Sequence, residues 1–171
     1  MLKTAFSEEQ IQVRVRALAQ EVSRDYDGEI LHVIGIFNTG FMFMADLSRR
    51  ITVPVNCHFV RMASSELQEA GIDIRQIGFS APGQIADQHV LLVDTMVDSG
   101  ITLDHLAQQL QIEKPRSVKT AVLINREDRR RVQLRVDYSG FAWKGEHLVG
   151  YGLEQDGLYR NLPYLATIPA R

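Results

Sequence analysis

The stretch VLLVDTMVDSGITL, from Val90 to Leu103, begins as an apolar β-strand and ends in acids, hydroxyls and a glycine. A loop that follows a strand and opens a helix presents free backbone N–H groups and the positive end of the helix dipole to anions. Gly100 lets the backbone approach a ligand closely, and the hydroxyls of Ser99 and Thr102 add hydrogen-bond donors. The stretch therefore predicts a phosphate-binding loop. It is not a P-loop, because the glycine–lysine pair of that motif is missing.

Two carboxylates flank this loop, and a phosphate alone does not explain them. Asp94 and Asp98 would repel an anionic ligand unless they contact another part of it. Sugar hydroxyls or a Mg²⁺ ion suit carboxylate oxygens, so a ligand with a phosphate, a ribose and a metal fits all these groups together. The alternative is an ordinary strand–turn–helix connection in which Asp98 or Ser99 caps the helix.

Strands and helices alternate on both sides of this stretch. Ser7 and the acids after it predict a capping box, and apolar residues at helical spacing follow as far as Gly28. The predicted strands are ILHVIGIF (30–37), VPVNCHFVRM (53–62), HVLLVD (89–94) and SVKTAVLI (117–124), with HLVGYGL (147–153) at or near a last strand; the later helices are FMFMADLSRRI (41–51) and LDHLAQQLQI (103–112). This order predicts an α/β fold with a mainly parallel sheet and helices on both faces.

Chemically active side chains fall at the predicted strand ends. In open parallel sheets, ligands bind beyond the carboxyl ends of the strands. Asn38, Asp94, Asp98 and Arg126 all follow or end a predicted strand. We therefore expect the binding site at this edge of the sheet. The polar segment 63–83 has only short β-like pieces and is long enough to serve a function of its own.

Composition and charge exclude several classes of protein. The 171 residues are 45% hydrophobic, which predicts a single domain, 1–171, with a substantial core. The net charge of −2 predicts no nucleic-acid partner, and the basic run NREDRRR (125–131) is interpreted as a solvated loop. No apolar stretch reaches the length of a membrane helix, and no signal peptide is visible. The lone Cys57 cannot form an internal disulfide, so the expected location is the cytoplasm. Its side chain is expected to pack in the core.

The opening stretch resembles the 5-phosphoribosyl-1-pyrophosphate (PRPP) motif of type I phosphoribosyltransferases. The chain as a whole is similar to bacterial hypoxanthine-guanine phosphoribosyltransferases, of which it looks like a divergent member. FSEEQIQVRVRALAQEVSRDY (6–26) resembles the first helix of that family, FMFMADL (41–47) follows its pyrophosphate loop, and VGYGLEQDGLYRNLPY (149–164) is close to its C-terminal signature. The resemblance implies the type I phosphoribosyltransferase fold, a mainly parallel twisted sheet with helices on both faces and a small hood.

The resemblance also implies an activity. Such enzymes transfer ribose 5-phosphate from PRPP to hypoxanthine or guanine and release pyrophosphate, with Mg²⁺ neutralising the leaving group. The transition state resembles an oxocarbenium ion, so catalysis is mostly positioning and electrostatics. Asp98 would be the catalytic residue that handles the ring proton of the purine. The family further implies a homodimer or homotetramer.

The remaining roles are carried over residue by residue. PRPP and its 5-phosphate would contact Asp94, Thr95, Asp98, Ser99, Gly100, Ile101 and Thr102; pyrophosphate would contact Asn38, Thr39, Gly40 and Arg160; the purine would contact Arg126, His147, Leu148 and Glu154. Asp94 and Glu154 would lie nearest to the Mg²⁺ ion. Ser64 and Ser65 would belong to the mobile loop of the family.

Five departures from the family pattern fall within the implied site. Thr95 replaces the second of two adjacent acids, Asn38 replaces a Lys or Arg, and Ser65 stands where the family has Tyr. Arg126 replaces the Lys that reads the exocyclic oxygen of the purine, and His147 replaces the stacking aromatic. These changes leave two alternatives to purine salvage open: a transferase of the same fold with another acceptor base, and a non-catalytic regulatory protein that binds nucleotides or PRPP.

Overall fold

A computed structural model describes residues 2–61, 63–67, 74–78 and 85–168. Its helices are α1 (Glu8–Asp25), α2 (Phe41–Ser48) and α3 (Ile101–Ile112), with a short 3-10 turn at Glu127–Arg129. Its strands are β1 (Lys3–Phe6), β2 (Leu31–Ile36), β3 (Val55–Val60), β4 (Ala63–Leu67), β5 (Ile74–Gly78), β6 (His89–Val97), β7 (Ser117–Asn125), β8 (Tyr138–Ala142), β9 (Leu148–Val149) and β10 (Leu165–Thr167).

A five-stranded parallel sheet of order β3-β2-β6-β7-β8 forms the centre of the protein. Side chains of β2 alternate between its two faces, as the two-residue period of a strand requires. Leu31 and Val33 pack with α1 and α2 on one face, whereas Ile34 and Ile36 join the cluster that contains the buried side of α3. The prediction of a mainly parallel sheet with helices on both faces is confirmed.

Helix α1 begins at the predicted capping box. The Ser7 hydroxyl accepts a hydrogen bond from the Gln10 N–H at 3.2 Å, and the Gln10 side chain accepts one from the Ser7 N–H at 2.8 Å. The apolar face of the helix, which includes Ile11 and Leu18, is fully buried. The helix ends at Asp25, slightly before the predicted end near Gly28.

A second, antiparallel sheet of order β1-β10-β9 lies beside the parallel one and corresponds to the expected hood. The segment HLVGYGL contributes Leu148 and Val149 to this small sheet, whereas β8 is the strand that completes the parallel sheet. β8 was not predicted from the sequence, because its five residues, YSGFA, include a glycine and a serine and resemble a loop. A Cβ on Gly140 would lie 2.4 Å from the Leu123 carbonyl oxygen, so the close approach of β7 requires this glycine.

The prediction that Cys57 packs in the core is wrong. Cys57 lies in β3, the edge strand of the parallel sheet, and its side chain is exposed. An edge strand has no neighbour on one side, so its residues are covered less completely than those of β2 or β6. Among the described helices, none combines the length and apolarity that a membrane span requires.

The strand order creates a natural place for a ligand. After β2 the chain crosses through α2 to β3 on one side, and after β6 it crosses through α3 to β7 on the other side. The two connections diverge at the carboxyl ends of β2 and β6, and a crevice opens where such connections part. The pairing of β6 with β2 ends at Gly35 and Val93, so Asp94 follows directly at this point.

Candidate functional site

A cavity of about 360 Å³ lies at the divergence of the two connections. It is lined by the ends of β2 and β6, the loop before α2, the start of α3 and one arginine of the C-terminal segment. The polar residues that line it are Asn38, Thr39, Asp94, Asp98, Ser99, Thr102 and Arg160. The structure thus brings together side chains that the sequence analysis assigned to PRPP, pyrophosphate and catalysis.

Asp98 stands in this cavity above a buried arginine. Its Oδ1 atom lies 3.8 Å from Nε of Arg126, and neither atom has a hydrogen-bond partner among the described residues. The Arg126 side chain is 2% exposed, and its Nη2 atom donates to the Gly145 carbonyl oxygen at 2.7 Å. The pair leaves the rest of the Asp98 carboxylate, which is 42% exposed, free to meet a ligand. Asp98 is therefore placed to exchange a proton with a base in the cavity.

Arg126 is buried and does not line the cavity. Its guanidinium donates to Gly145 and faces Asp98 from below, and its contact with a purine stays a prediction. The interpretation of residues 125–131 as a solvated loop is wrong in part. Asn125 and Arg126 are buried and Arg130 is half-buried, whereas Glu127–Arg129 and Arg131 are exposed.

The loop before α3 has the geometry expected of a phosphate site. Gly100 is the N-cap of α3, with φ +83°, and no side chain caps the first turn. Neither Asp98 nor Ser99 is the cap, so the alternative of an ordinary capped connection is not what the structure has. Ser99, Gly100 and Thr102 line the cavity, whereas the Ile101 side chain is exposed outside it and only its N–H, 3.4 Å from the Ser99 hydroxyl, belongs to the loop.

Arg130 packs against Gly100 of this loop, a contact that was not predicted from the sequence. A Cβ on Gly100 would lie 2.9 Å from Cδ of Arg130, and Nη2 of Arg130 donates to the side chain of Asn125. Its Nε and Nη1 atoms are buried without a partner in the described part of the chain. An arginine beside the loop adds positive charge to the start of α3, where the helix dipole already favours an anion. The signal available in the sequence was the basic run NREDRRR, which begins at the end of β7, at the edge of the sheet where the ligand was expected.

Asp94 lies at the bottom of the cavity. Its Oδ1 atom accepts a hydrogen bond from the Thr95 N–H at 2.7 Å. Burial raises the pKa of this carboxyl group to about 7, and hydrogen bonds from Thr39 and from the Thr95 backbone offset only part of that effect. A carboxyl group with such a pKa changes its charge readily when a cation or a hydroxyl group arrives beside it.

Asp94 predicts a measurable pH dependence of stability. Its folded-state pKa lies above the unfolded value of 3.8, so its contribution to stability is complete below about pH 4 and disappears as the pH rises through about 7. One proton changes the free energy of unfolding by at most about 1.4 kcal/mol per pH unit in this window. We expect urea unfolding of the ligand-free protein between pH 4 and pH 8 to show a flatter profile for Asp94→Asn than for the wild type. Parallel profiles would contradict the raised pKa.

Thr95 lies next to Asp94 in β6. The side chain is fully buried, and its hydroxyl donates to the Thr39 carbonyl oxygen at 2.7 Å and lies 3.4 Å from the Tyr151 carbonyl oxygen. In this structure it therefore holds protein backbone. Adjacent residues of a strand point to opposite faces, so the Thr95 side chain points away from the face on which Asp94 lines the cavity, and its contact with PRPP stays a prediction.

The loop Asn38–Gly40 and Arg160 form the opposite wall of the cavity. Asn38 has φ +78°, a left-handed conformation that asparagine adopts more readily than lysine does. Arg160 Nη1 donates to the Gly152 carbonyl oxygen at 2.7 Å and to the Asn38 carbonyl oxygen at 3.3 Å. Gly40 is buried behind the wall and does not line the cavity itself.

Glu154, His147 and Leu148 lie behind Arg160, outside the cavity lining. Glu154 Oε1 lies 3.5 Å from Nη2 of Arg160, and its other oxygen accepts from the Gly157 N–H. The exposed ring of His147 contacts the Glu154 carbonyl oxygen through Nε2 at 2.9 Å, and Leu148 is fully buried in β9. The side chains of Glu154 and His147 thus contact other protein groups in this structure, and the contacts of all three residues with a purine or a metal stay predictions.

Ser64 and Ser65 fall in β4, which pairs with β5. The Ser64 backbone lies opposite Ile77 and the Ser65 backbone opposite Gln76. Their assignment to a mobile loop stays a prediction.

Comparison with known proteins gives consistent results. A family model described as the phosphoribosyl transferase domain matches residues 6–156. Hypoxanthine-guanine phosphoribosyltransferase from Dictyostelium discoideum is 34% identical over 95% of this chain and 93% of its own. A crystal structure of a hypoxanthine-guanine phosphoribosyltransferase from Bacillus anthracis superimposes with a TM-score of 0.88 and 33% identity over 98% of both chains.

A third relative introduces the question of assembly. A hypoxanthine phosphoribosyl transferase from Trypanosoma cruzi superimposes with a TM-score of 0.88 and 29% identity over 98% of this chain and 91% of its own. Its structure was determined in work on the role of its C-terminal region in oligomeric state and enzymatic activity.

Proposed function

Since the chain belongs to the phosphoribosyl transferase domain family, we propose that it transfers ribose 5-phosphate from PRPP to hypoxanthine or guanine and releases pyrophosphate. The observation that carries this proposal is the cavity at the divergence of the two connections. It combines an anion-binding helix start, the Asp98 carboxylate and the Arg160 guanidinium within one space. The relatives with the same overall fold carry the same activity in their names.

Each part of PRPP has a matching wall in the cavity. The 5-phosphate fits the loop Ser99–Thr102, where the start of α3 and the nearby Arg130 favour negative charge. The pyrophosphate group fits the loop Asn38–Gly40 and Arg160. The ribose lies between them, above Asp94. This arrangement leaves Asp98 beside the anomeric carbon, where the purine nitrogen has to arrive.

The donors present fit a Mg²⁺ ion that arrives with PRPP. Mg²⁺ is usually held by one or two carboxylates together with ligand phosphates and waters. Asp94 supplies one carboxylate at the cavity floor, whereas Glu154 is occupied by Arg160 and the Gly157 N–H. The described residues contain no group of three or more acids, histidines or cysteines that could hold a metal alone. When bound, Mg²⁺ neutralises the leaving pyrophosphate.

Two contacts near the expected base position bear on the alternative of a different acceptor base on the same fold. Arg126 faces Asp98 from below instead of reading an exocyclic oxygen, and His147 is turned to the Glu154 carbonyl. The base would then be recognised by Asp98 and by apolar cavity residues such as Phe37 and Leu103.

The proposal also includes a homodimer or homotetramer, a single functional domain over 1–171 and a cytoplasmic location. The lone cysteine supports the cytoplasmic location.

One assay separates purine salvage from its alternatives. The protein is incubated with PRPP and Mg²⁺ and with hypoxanthine, guanine, xanthine, adenine or uracil in turn, and pyrophosphate release is measured. We expect turnover with hypoxanthine or guanine that stops in excess chelator and returns when Mg²⁺ is added back. Turnover with another base alone would support the second acceptor. PRPP binding without turnover for any base would support the regulatory protein and defeat the proposal.

A further inference from the structure

The hydroxyl of Thr95 joins three segments that build the pyrophosphate side of the cavity. Its donor bond to the Thr39 carbonyl oxygen measures 2.7 Å, and the Tyr151 carbonyl oxygen lies 3.4 Å away. The three segments are the end of β6, the loop before α2 and the C-terminal turn 150–152. We call this arrangement of Thr95, Thr39 and Tyr151 the hydroxyl clamp.

Both partners of Thr95 in the hydroxyl clamp are hydrogen-bond acceptors, so residue 95 has to supply a donor. A carbonyl oxygen is satisfied only by a donor, and a threonine hydroxyl supplies one proton. A carboxylate at position 95 would place negative charge against two carbonyl oxygens in a fully buried position. An acid here therefore requires the Thr39 carbonyl to turn away. Thr95 is matched to the loop orientation of this chain and is not a weakened acid.

Other contacts fix the loop on both sides of Thr39. Asn38 turns the chain through its left-handed conformation, and its carbonyl oxygen accepts from Arg160. The Gly40 N–H donates to the Ile36 carbonyl oxygen at 2.8 Å. The carbonyl of Thr39 between them is held by Thr95. Without the hydroxyl clamp the Thr39 carbonyl group would lose its hydrogen bond to Thr95 and could adopt more than one orientation.

The C-terminal turn closes on the same carbonyl group. A Cβ on Gly152 would lie 2.2 Å from the Thr39 carbonyl oxygen and 3.4 Å from the Thr95 hydroxyl. Arg160 Nη1 in turn donates to the Gly152 carbonyl oxygen at 2.7 Å. The position of the cavity's arginine is thus connected through Gly152 to the clamp.

We propose that Thr95 is a positioning residue that orients the Asn38–Gly40 loop and Arg160 for the pyrophosphate part of the substrate. This rests on the proposed function for the identity of the ligand. Its effect falls on pyrophosphate and PRPP, because the clamp lies under that wall, and not on the purine base.

The test compares Thr95→Val, which keeps the shape and removes the donor, with Thr95→Ser, which keeps the donor. We expect Thr95→Val to raise the KM for PRPP and the Kd for Mg²⁺–pyrophosphate about tenfold, the effect of one buried hydrogen bond. The KM for the base should stay within about twofold, and Thr95→Ser should restore the wild-type values. Calorimetry measures pyrophosphate binding even if no base is turned over. A failure of the proposed transferase function can therefore be distinguished from a failure of the proposal for Thr95.

Thr120→Val is the matched control. Thr120 is 3% exposed, and its hydroxyl donates to the Arg135 carbonyl oxygen at 3.0 Å, away from the cavity. Its loss should lower the unfolding midpoint as Thr95→Val does but leave pyrophosphate affinity unchanged. If Thr95→Val does not fold, Thr95→Ala, which also removes the donor but adds no bulk, should weaken pyrophosphate binding in the same way. Wild-type pyrophosphate affinity in folded Thr95→Val or Thr95→Ala, or no pyrophosphate binding by the wild-type protein, would overturn the proposal.

Discussion

Replacing Asp98 by Asn is expected to lower kcat about 10²- to 10⁴-fold, the range that general acid–base catalysis contributes. The amide has nearly the same shape but cannot take up the ring proton of the purine. PRPP binding should survive, because the anion-binding loop Ser99–Thr102 remains intact. The measurement is steady-state turnover together with the affinity for Mg²⁺–PRPP.

The structure offers a matched control for this prediction. Asp104 lies in the first turn of α3, where its carboxylate accepts a hydrogen bond from Gln108 at 2.8 Å, outside the cavity. Asp104→Asn also removes one negative charge near the start of the helix but should leave kcat almost unchanged. Turnover near the wild-type level in Asp98→Asn would remove Asp98 from the catalytic role. A parallel loss of PRPP affinity would assign it to ligand binding instead.

Replacing Arg160 by Ala is expected to lower kcat/KM for PRPP about 10²- to 10³-fold, since charge-assisted hydrogen bonds contribute about 1.5–3 kcal/mol each. Arg160 is the only cationic side chain among the described residues that line the cavity. Asn38 carries no charge, so the neutralisation of pyrophosphate depends on Arg160 and Mg²⁺. The substitution also removes the two hydrogen bonds to the Asn38 and Gly152 carbonyl oxygens.

Two further variants separate the effect of the positive charge of Arg160 from the effect of its hydrogen bonds to the backbone. Arg160→Lys keeps the charge but lacks the guanidinium, whose Nη1 donates to two carbonyl oxygens while Nη2 faces Glu154, so we expect an intermediate kcat/KM. Arg135→Ala removes an arginine whose side chain is 88% exposed, and it should leave kcat/KM unchanged. If Arg160→Ala changes the KM for the base and leaves the KM for PRPP as it was, Arg160 does not serve the pyrophosphate wall.

The sequence predicted the elements whose signal is local and strong. The capping box at Ser7 and the apolar runs of β2, β6 and β7 lie where they were expected, because periodicity and capping depend on neighbouring residues. β8 was missed, since its residues make sense as a strand only beside β7. β10 was missed for the same reason: its three residues form a strand only by pairing with β9 and with β1, which lies at the other end of the chain.

The site was predictable where strand ends determine it. Asp94, Asp98 and the loop to Thr102 meet in one cavity because they are close in sequence. Residues brought in from distant segments were harder to assign. Arg126 is separated from the cavity by Asp98 itself, and the direction of a long side chain is decided by packing that the sequence does not display. The contacts of Thr95 were not predicted, because its partners, two backbone carbonyl groups, leave no trace in the sequence.

The glycines around the cavity set limits on how this protein can evolve. A Cβ on Gly40 would lie 2.9 Å from both the Ile36 and the Val93 carbonyl oxygens, and Gly152 is confined still more closely by Thr39. These neighbours are backbone atoms, which cannot move aside as a side chain can. Saturation mutagenesis should therefore find both positions intolerant. Mutational drift can change what the cavity recognises, but only by way of side chains that face it, over a main-chain frame that stays constant.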